Sequence, residues 1–192
     1  MNHPLHHEHS DRPLAPGQRL PESARTALSD GAVAEILALA DRYPDRLAAT
    51  LPALYVAQRE FGFSSLKAMK EVARVLQIPE AHVFGVATFY TMYLKRPVGK
   101  FHIQVCTNLS CSLRGAVKLL EQLCERVGVT PGGEPSADGM WSVEEVECLG
   151  SCGTAPCLQV NEDCYEELLT EADLDRILEA CRQGDVKAWG EV

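Results

Sequence analysis

Four cysteines in two pairs, Cys106-x4-Cys111 and Cys148-x3-Cys152, constrain this chain more than any other feature of it. Each pair stands where an apolar, strand-like run gives way to a loop containing Gly, Ser or Asn. Two such loops at one edge of a sheet can bring four thiolates to a single centre, the donor set of a 2Fe-2S cluster or of a closed zinc site. The gaps favour iron. Structural zinc pairs prefer two-residue gaps that form a tight knuckle, whereas gaps of four and three suit the wider loops of a dinuclear cluster with two ligands per iron.

The rest of the cysteine usage agrees with metal chemistry. The first thirty residues lack the apolar core of a secretory signal, and their Glu8, Asp11, Glu22 and Asp30 are at odds with an organelle transit peptide. The expected compartment is a reducing cytosol, where eight cysteines point to metal or redox chemistry before a disulfide framework.

Spacing alone leaves the ligand set open. Cys152-x4-Cys157 repeats the gap of the first pair, so Cys157 could replace Cys148. Local context disfavours the exchange: Cys157 follows Pro156 and opens the alternation Cys157-Leu158-Gln159-Val160, a strand in which it reads as a small core residue. Cys148 ends the run from Trp141 to Glu147 and enters Leu149-Gly150-Ser151-Cys152-Gly153, where glycines let backbone approach a cluster. Cys124 and Cys181 sit in helical patterns and Cys164 near a turn, so all three read as non-ligands.

At 192 residues and 46% apolar, the chain can bury a core as one domain or two small ones. No apolar run approaches the roughly 18 residues of a membrane span, so direct membrane insertion is not expected. A net charge of -9, from 18 basic and 27 acidic residues, lacks the basic footprint of a nucleic-acid binder.

Residues 1–30, with His3, His6, His7 and His9 among four prolines, show no periodicity and read as a disordered tail. From Gly31 the period is helical. Val33, Ile36, Leu37 and Ala40 form one stripe, and Leu47, Leu51, Leu54 and Tyr55 a second that Pro52 could kink and Gly62 ends. Ser64 and Ser65 offer caps for a third helix carrying Leu66, Met69, Val72, Ala73 and Leu76. Val83, Val86, Ala87 and Tyr90 mark a fourth, and a linker at Arg96-Pro97-Val98-Gly99 closes the helical unit, 31–96.

Beyond it the period becomes two. Phe101, Ile103 and Val105 alternate with His102 and Gln104, delivering Cys106 to a loop, and Leu113 to Val127 reads as one helix. His102 could serve as a Rieske-type ligand, but it lies on the opposite strand face to Phe101 and has no partner histidine, so a structural role is expected. Strands follow at Trp141–Glu147, Cys157–Val160 and Tyr165–Leu168, with Asn161-Glu162-Asp163 as a hairpin signal, and then a helix from Glu171 to Arg182. A thioredoxin-like sheet in 97–192 suits this order, giving an α+β chain.

At this point the residues resemble a known family. Leu51-Pro52-Ala53-Leu54, Val86-Ala87-Thr88-Phe89-Tyr90-Thr91-Met92, the run from Pro97 to Asn108, and Val146-Glu147-Cys148-Leu149-Gly150-Ser151-Cys152-Gly153-Thr154-Ala155-Pro156 are similar to the thioredoxin-like 2Fe-2S subunit of NADH:quinone oxidoreductase, respiratory complex I. The resemblance runs from about Gly31 to the C-terminus.

It implies an N-terminal helical bundle followed by a thioredoxin-like 2Fe-2S ferredoxin domain, with one 2Fe-2S cluster on Cys106, Cys111, Cys148 and Cys152. At Cys157 the family usually carries an apolar residue. The resemblance also implies a flavin-bearing partner that oxidises NADH, with FMN and NADH bound on that partner only, and a further iron-sulfur subunit of the peripheral arm. The location implied is cytoplasmic, at the inner face of a bacterial membrane through complex subunits. The chain offers no G-x-G-x-x-G after a strand and no P-loop, so NADH oxidation is not expected of it alone. The equivalent subunit of a soluble NAD-linked hydrogenase or formate dehydrogenase is the alternative, and a four-cysteine zinc module the third reading.

Overall fold

The computed structural model describes residues 25–162 and 164–189. The histidine-containing tract at 3–9 lies outside them. The described chain folds as two compact units, with the division between Pro97 and Val98. No described helix is long and apolar enough to cross a membrane.

The first unit is four helices: α1 (Asp30–Ala40), α2 (Thr50–Phe61), α3 (Leu66–Leu76) and α4 (Glu80–Phe89), with a 3-10 turn at Arg46–Ala49 ahead of α2. Caps set the boundaries. The Ser29 side chain accepts from Ala32 N–H and that of Ser65 from Ala68 N–H, each satisfying one of the orphan amides of a helix start. Gly62 and Gln77 take the left-handed conformation at the ends of α2 and α3. Pro52 falls in the first turn of α2, where its missing N–H costs nothing, rather than at a kink.

Ile36, Leu54, Val72, Leu76 and Val83 make the core of this unit. Burying each such side chain contributes about 1.5–3 kcal/mol. The buried Gln58 donates to Met92 O (3.1 Å) and accepts from Leu94 N–H (2.7 Å) and the Ser64 hydroxyl (3.1 Å), which pins the segment after α4 to α2. Tyr93, fully buried beside it, donates to Leu51 O at 2.9 Å, and burial pushes its phenol well above the usual range.

The second unit is built on a four-stranded sheet in the order β2-β1-β3-β4, from β1 (Phe101–Cys106), β2 (Trp141–Val146), β3 (Leu158–Val160) and β4 (Cys164–Glu166). β1 and β2 are parallel, with Phe101 opposite Trp141 and Cys106 opposite Val146. A parallel pair needs a long crossover. It is supplied by α5 (Leu109–Leu113) and α6 (Ala116–Val127). β3 runs antiparallel to β1 with Leu158 opposite Val105, and β4 antiparallel to β3 with Cys164 opposite Val160; α7 (Glu171–Gln183) ends the described architecture.

Alternation divides the sheet. Phe101, Ile103, Val105, Trp141, Val143, Leu158 and Val160 face a core completed by Leu119, Leu120 and Leu123 of α6 and Leu174, Ile177 and Leu178 of α7. Gly99 marks where the entering chain meets β2, since a Cβ there would fall 2.5 Å from the Trp141 backbone carbon.

One expected element is corrected. The helix expected from Leu113 to Val127 begins only at Ala116, after Gly115 with its left-handed φ of 91°, and Leu113 instead ends the separate helix α5. Asn108 caps the short α5 ahead of that break, its side chain accepting from Leu109 N–H at 2.6 Å. Cys111 consequently sits within a helical turn rather than in an open loop.

Candidate metal centre

Sheet topology gathers five cysteines at one edge. The C-terminal ends of the parallel β1 and β2 lie side by side, which brings Cys106 near the segment carrying Cys148. The Cys106 thiol donates to Glu147 O at 3.8 Å. Because β3 is antiparallel to β1, it enters at this same edge, and Cys106 N–H donates to Cys157 O at 3.2 Å. α5 lies against the 3-10 turn Cys152–Thr154, so Cys111 and Cys152 are carried by neighbouring elements.

The sulfurs of Cys106, Cys111 and Cys157 all lie within 4.8 Å of one another and are buried. Those of Cys111 and Cys157 stand 3.8 Å apart. Around them Ala116 and Ala155 are buried, with Val146 and Leu149 packed alongside. Burial in this apolar shell, followed by the neighbouring Cys106, pushes the Cys111 thiol up to about 12. Cys148 and Cys152 are exposed. The Gly150 amide donates to Cys148 Sγ at 3.3 Å, made possible by a left-handed φ of 87° at Gly150.

The turn bearing Cys152 is held from the far side of the hairpin. Ser151 and Thr154 hydroxyls both donate to Glu167, Thr154 at 2.7 Å, and these bonds hold its carboxyl below the usual range. Leu168 N–H donates to Thr154 O at 2.8 Å and Leu169 N–H to Pro156 O at 3.2 Å. The Ala155–Pro156 peptide between this turn and β3 is cis.

The remaining cysteines belong to the packing. Cys124 and Cys181 are buried on α6 and α7, and desolvation raises their thiols to about 11 and about 12. Cys164, on β4, is also raised, by burial first. His102 is buried with Nδ1 2.9 Å from Ser142 Oγ and Nε2 3.2 Å from Glu144 Oε2, on the sheet face opposite Phe101. It holds β1 to β2.

A donor set of sulfur only, on backbone rich in glycine and with an amide aimed at one sulfur, fits an iron-sulfur group. The profile of the thioredoxin-like 2Fe-2S ferredoxin family matches residues 36–182. The chain belongs to that family. Members similar to it include an NADH-quinone oxidoreductase subunit of Rhizobium meliloti, 43% identical over 79% of this chain and 89% of the relative. A second, from the NADH-quinone oxidoreductase of Thermus thermophilus, is 45% identical over 74% of this chain and 80% of that one. Among solved structures, an NAD+-reducing NiFe hydrogenase in the air-oxidised state aligns with a TM-score of 0.59 at 22% identity, over 70% of this chain and 23% of the hydrogenase chain. At that identity the likeness is one of fold.

Of the four cysteines singled out by spacing, the structure brings the sulfurs of Cys106 and Cys111 into one close group, leaves those of Cys148 and Cys152 outside it and exposed, and adds Cys157, a candidate by its spacing that its strand context disfavours. Cys157 is indeed in the packed interior, yet its sulfur lies against that of Cys111. Only the antiparallel entry of β3 at the cysteine edge places it there, and nothing in a single sequence gives that pairing.

Proposed function

We propose that this chain is the electron-transfer subunit of an NADH:quinone oxidoreductase, holding one 2Fe-2S cluster on Cys106, Cys111, Cys148 and Cys152 and exchanging single electrons with the flavin of an NADH-oxidising partner. The observation that carries the reading is the convergence of β1, β2 and the Cys152 turn at one sheet edge, in a chain 43% and 45% identical to two subunits of that enzyme. When bound, such a cluster takes or gives one electron at a time. This chain's residues do the rest. Cys106 and Cys111 offer sulfurs from a water-excluding pocket, Cys148 and Cys152 offer theirs from the exposed side, and the Gly150 amide stabilises negative charge on Cys148.

Each unit carries exposed apolar side chains that can serve docking. Leu109 and Leu113 flank Cys111 on α5 and are 70% and 79% exposed, and on the helical unit Phe89 is 78% exposed. A flavoprotein that covers the α5 residues brings its flavin close to the cysteines. The partner set would include a further iron-sulfur subunit, and the assembly would sit at the inner face of a bacterial membrane. The hydrogenase fold likeness keeps a second reading, the same role in a soluble NAD-linked hydrogenase or formate dehydrogenase. The higher identity to quinone-reductase subunits favours the first.

The test mixes purified chain, flavoprotein and NADH anaerobically and follows the reduced cluster by low-temperature EPR. Reduction should need the flavoprotein, and Leu109→Asp or Phe89→Asp should weaken the complex. NADH oxidation by this chain alone would refute the carrier role.

A further inference from the structure

Three buried sulfurs form a group that the four-cysteine cluster set does not account for. Cys106, Cys111 and Cys157 lie within 4.8 Å of each other, close enough to share one ion. First-row d10 cations bond sulfur at about 2.3 Å, which sets sulfurs of one coordination sphere about 3.8–4.0 Å apart. Cys111 and Cys157 already stand at 3.8 Å. The others need a shift of under about 1 Å, on flexible χ1 torsions, to meet the same spacing.

We propose that, in the cluster-free chain, Cys106, Cys111 and Cys157 constitute a three-thiolate site for a soft monovalent cation, with Cu+ as the ion of matching chemistry. Thiolate donors select Cu+, zinc and iron-sulfur groups, and zinc in closed sites takes four ligands. Three buried sulfurs in an apolar shell of Ala116, Ala155 and Val146 instead suit the low coordination number of Cu+. Each Cu–S bond replaces an S–H bond whose proton passes to the buffer. No electron moves, and copper stays monovalent.

The consequence rests on the proposed cluster ligands, because two of the three sulfurs belong to that set. A cation held here occupies Cys106 and Cys111 and shuts out cluster assembly. Cys157 therefore acts on the cluster-free chain while contributing nothing to the loaded one.

The experiment uses the full chain, cluster-free, reduced and anaerobic, titrated with Cu+ against a chromophoric Cu+ chelator. The expected result is one Cu+ per chain. Sharing the affinity of a closed thiolate site equally among its ligands, Cys157→Ala and Cys157→Val should each weaken binding on the order of a hundredfold. Cys148→Ser and Cys152→Ser should leave it unchanged. With free Cu+ held by the chelator between the native and Cys157→Ala affinities, copper added before iron and sulfide should block cluster formation in the native chain and not in Cys157→Ala. Equal weakening by Cys148→Ser or Cys152→Ser, or native affinity in both Cys157 variants, would overturn the triad. Loss of iron uptake by Cys157→Ala without copper would count against the four-cysteine cluster set instead, since the copper affinities of the other variants judge the triad separately.

Discussion

The Sγ atoms of Cys111 and Cys157 lie 3.8 Å apart, although 46 positions separate them in the chain. That approach makes Cys157 the thiol best placed to replace a missing cluster ligand. Cys152→Ser should retain a distorted cluster with a shifted visible spectrum, and Cys152→Ser combined with Cys157→Ser should not. Equal cluster loss in both variants would remove the case for rescue.

His102 and Glu144 are both buried and face one another at 3.2 Å across the parallel pair. Glu144→Ala leaves a buried ring nitrogen without that acceptor, an effect of about 1–3 kcal/mol. The urea midpoint should fall accordingly. The cluster spectrum should hold, because His102 lies four residues from Cys106, about 13 Å along the strand. An unchanged midpoint would contradict the structural role given to this pair.

Acid sensitivity should show at the start of α7. Thr170 Oγ1 and N–H both donate to Asp173, at 2.6 and 2.8 Å, and these bonds hold the Asp173 carboxyl below its usual range. A carboxyl depressed on folding stabilises the fold above its unfolded value of about 3.9, and that stability is lost as pH falls through the lower folded value. Asp173→Asn should flatten the acid limb of a plot of thermal midpoint against pH. The same acid slope in the variant would show that the two bonds from Thr170 to Asp173 contribute nothing to acid stability.

The elements legible in the sequence are those with long, clean periodicity. The alternation of Phe101, Ile103 and Val105 and the stripe of Leu174, Ile177 and Leu178 both form core faces. What periodicity cannot give is α5, five residues long and too short for a stripe, or its separation from α6 by Gly115. The cysteine edge is legible because spacing and loop composition are local. The convergence of Cys157 with Cys111 and the pairing of Glu144 with His102 depend on strand register, which is set by contacts between distant segments.

The most direct test of the account is iron and sulfide analysis, with reduced-state EPR, of the anaerobically purified chain and of its single cysteine variants. Two irons and two sulfides per chain are expected of a single 2Fe-2S cluster. Serine at Cys106, Cys111, Cys148 or Cys152 should bleach or strongly perturb the signal, whereas Cys124→Ser and Cys181→Ser should leave it unaltered. An unchanged EPR signal with full iron retention in Cys148→Ser would contradict the proposed ligand set.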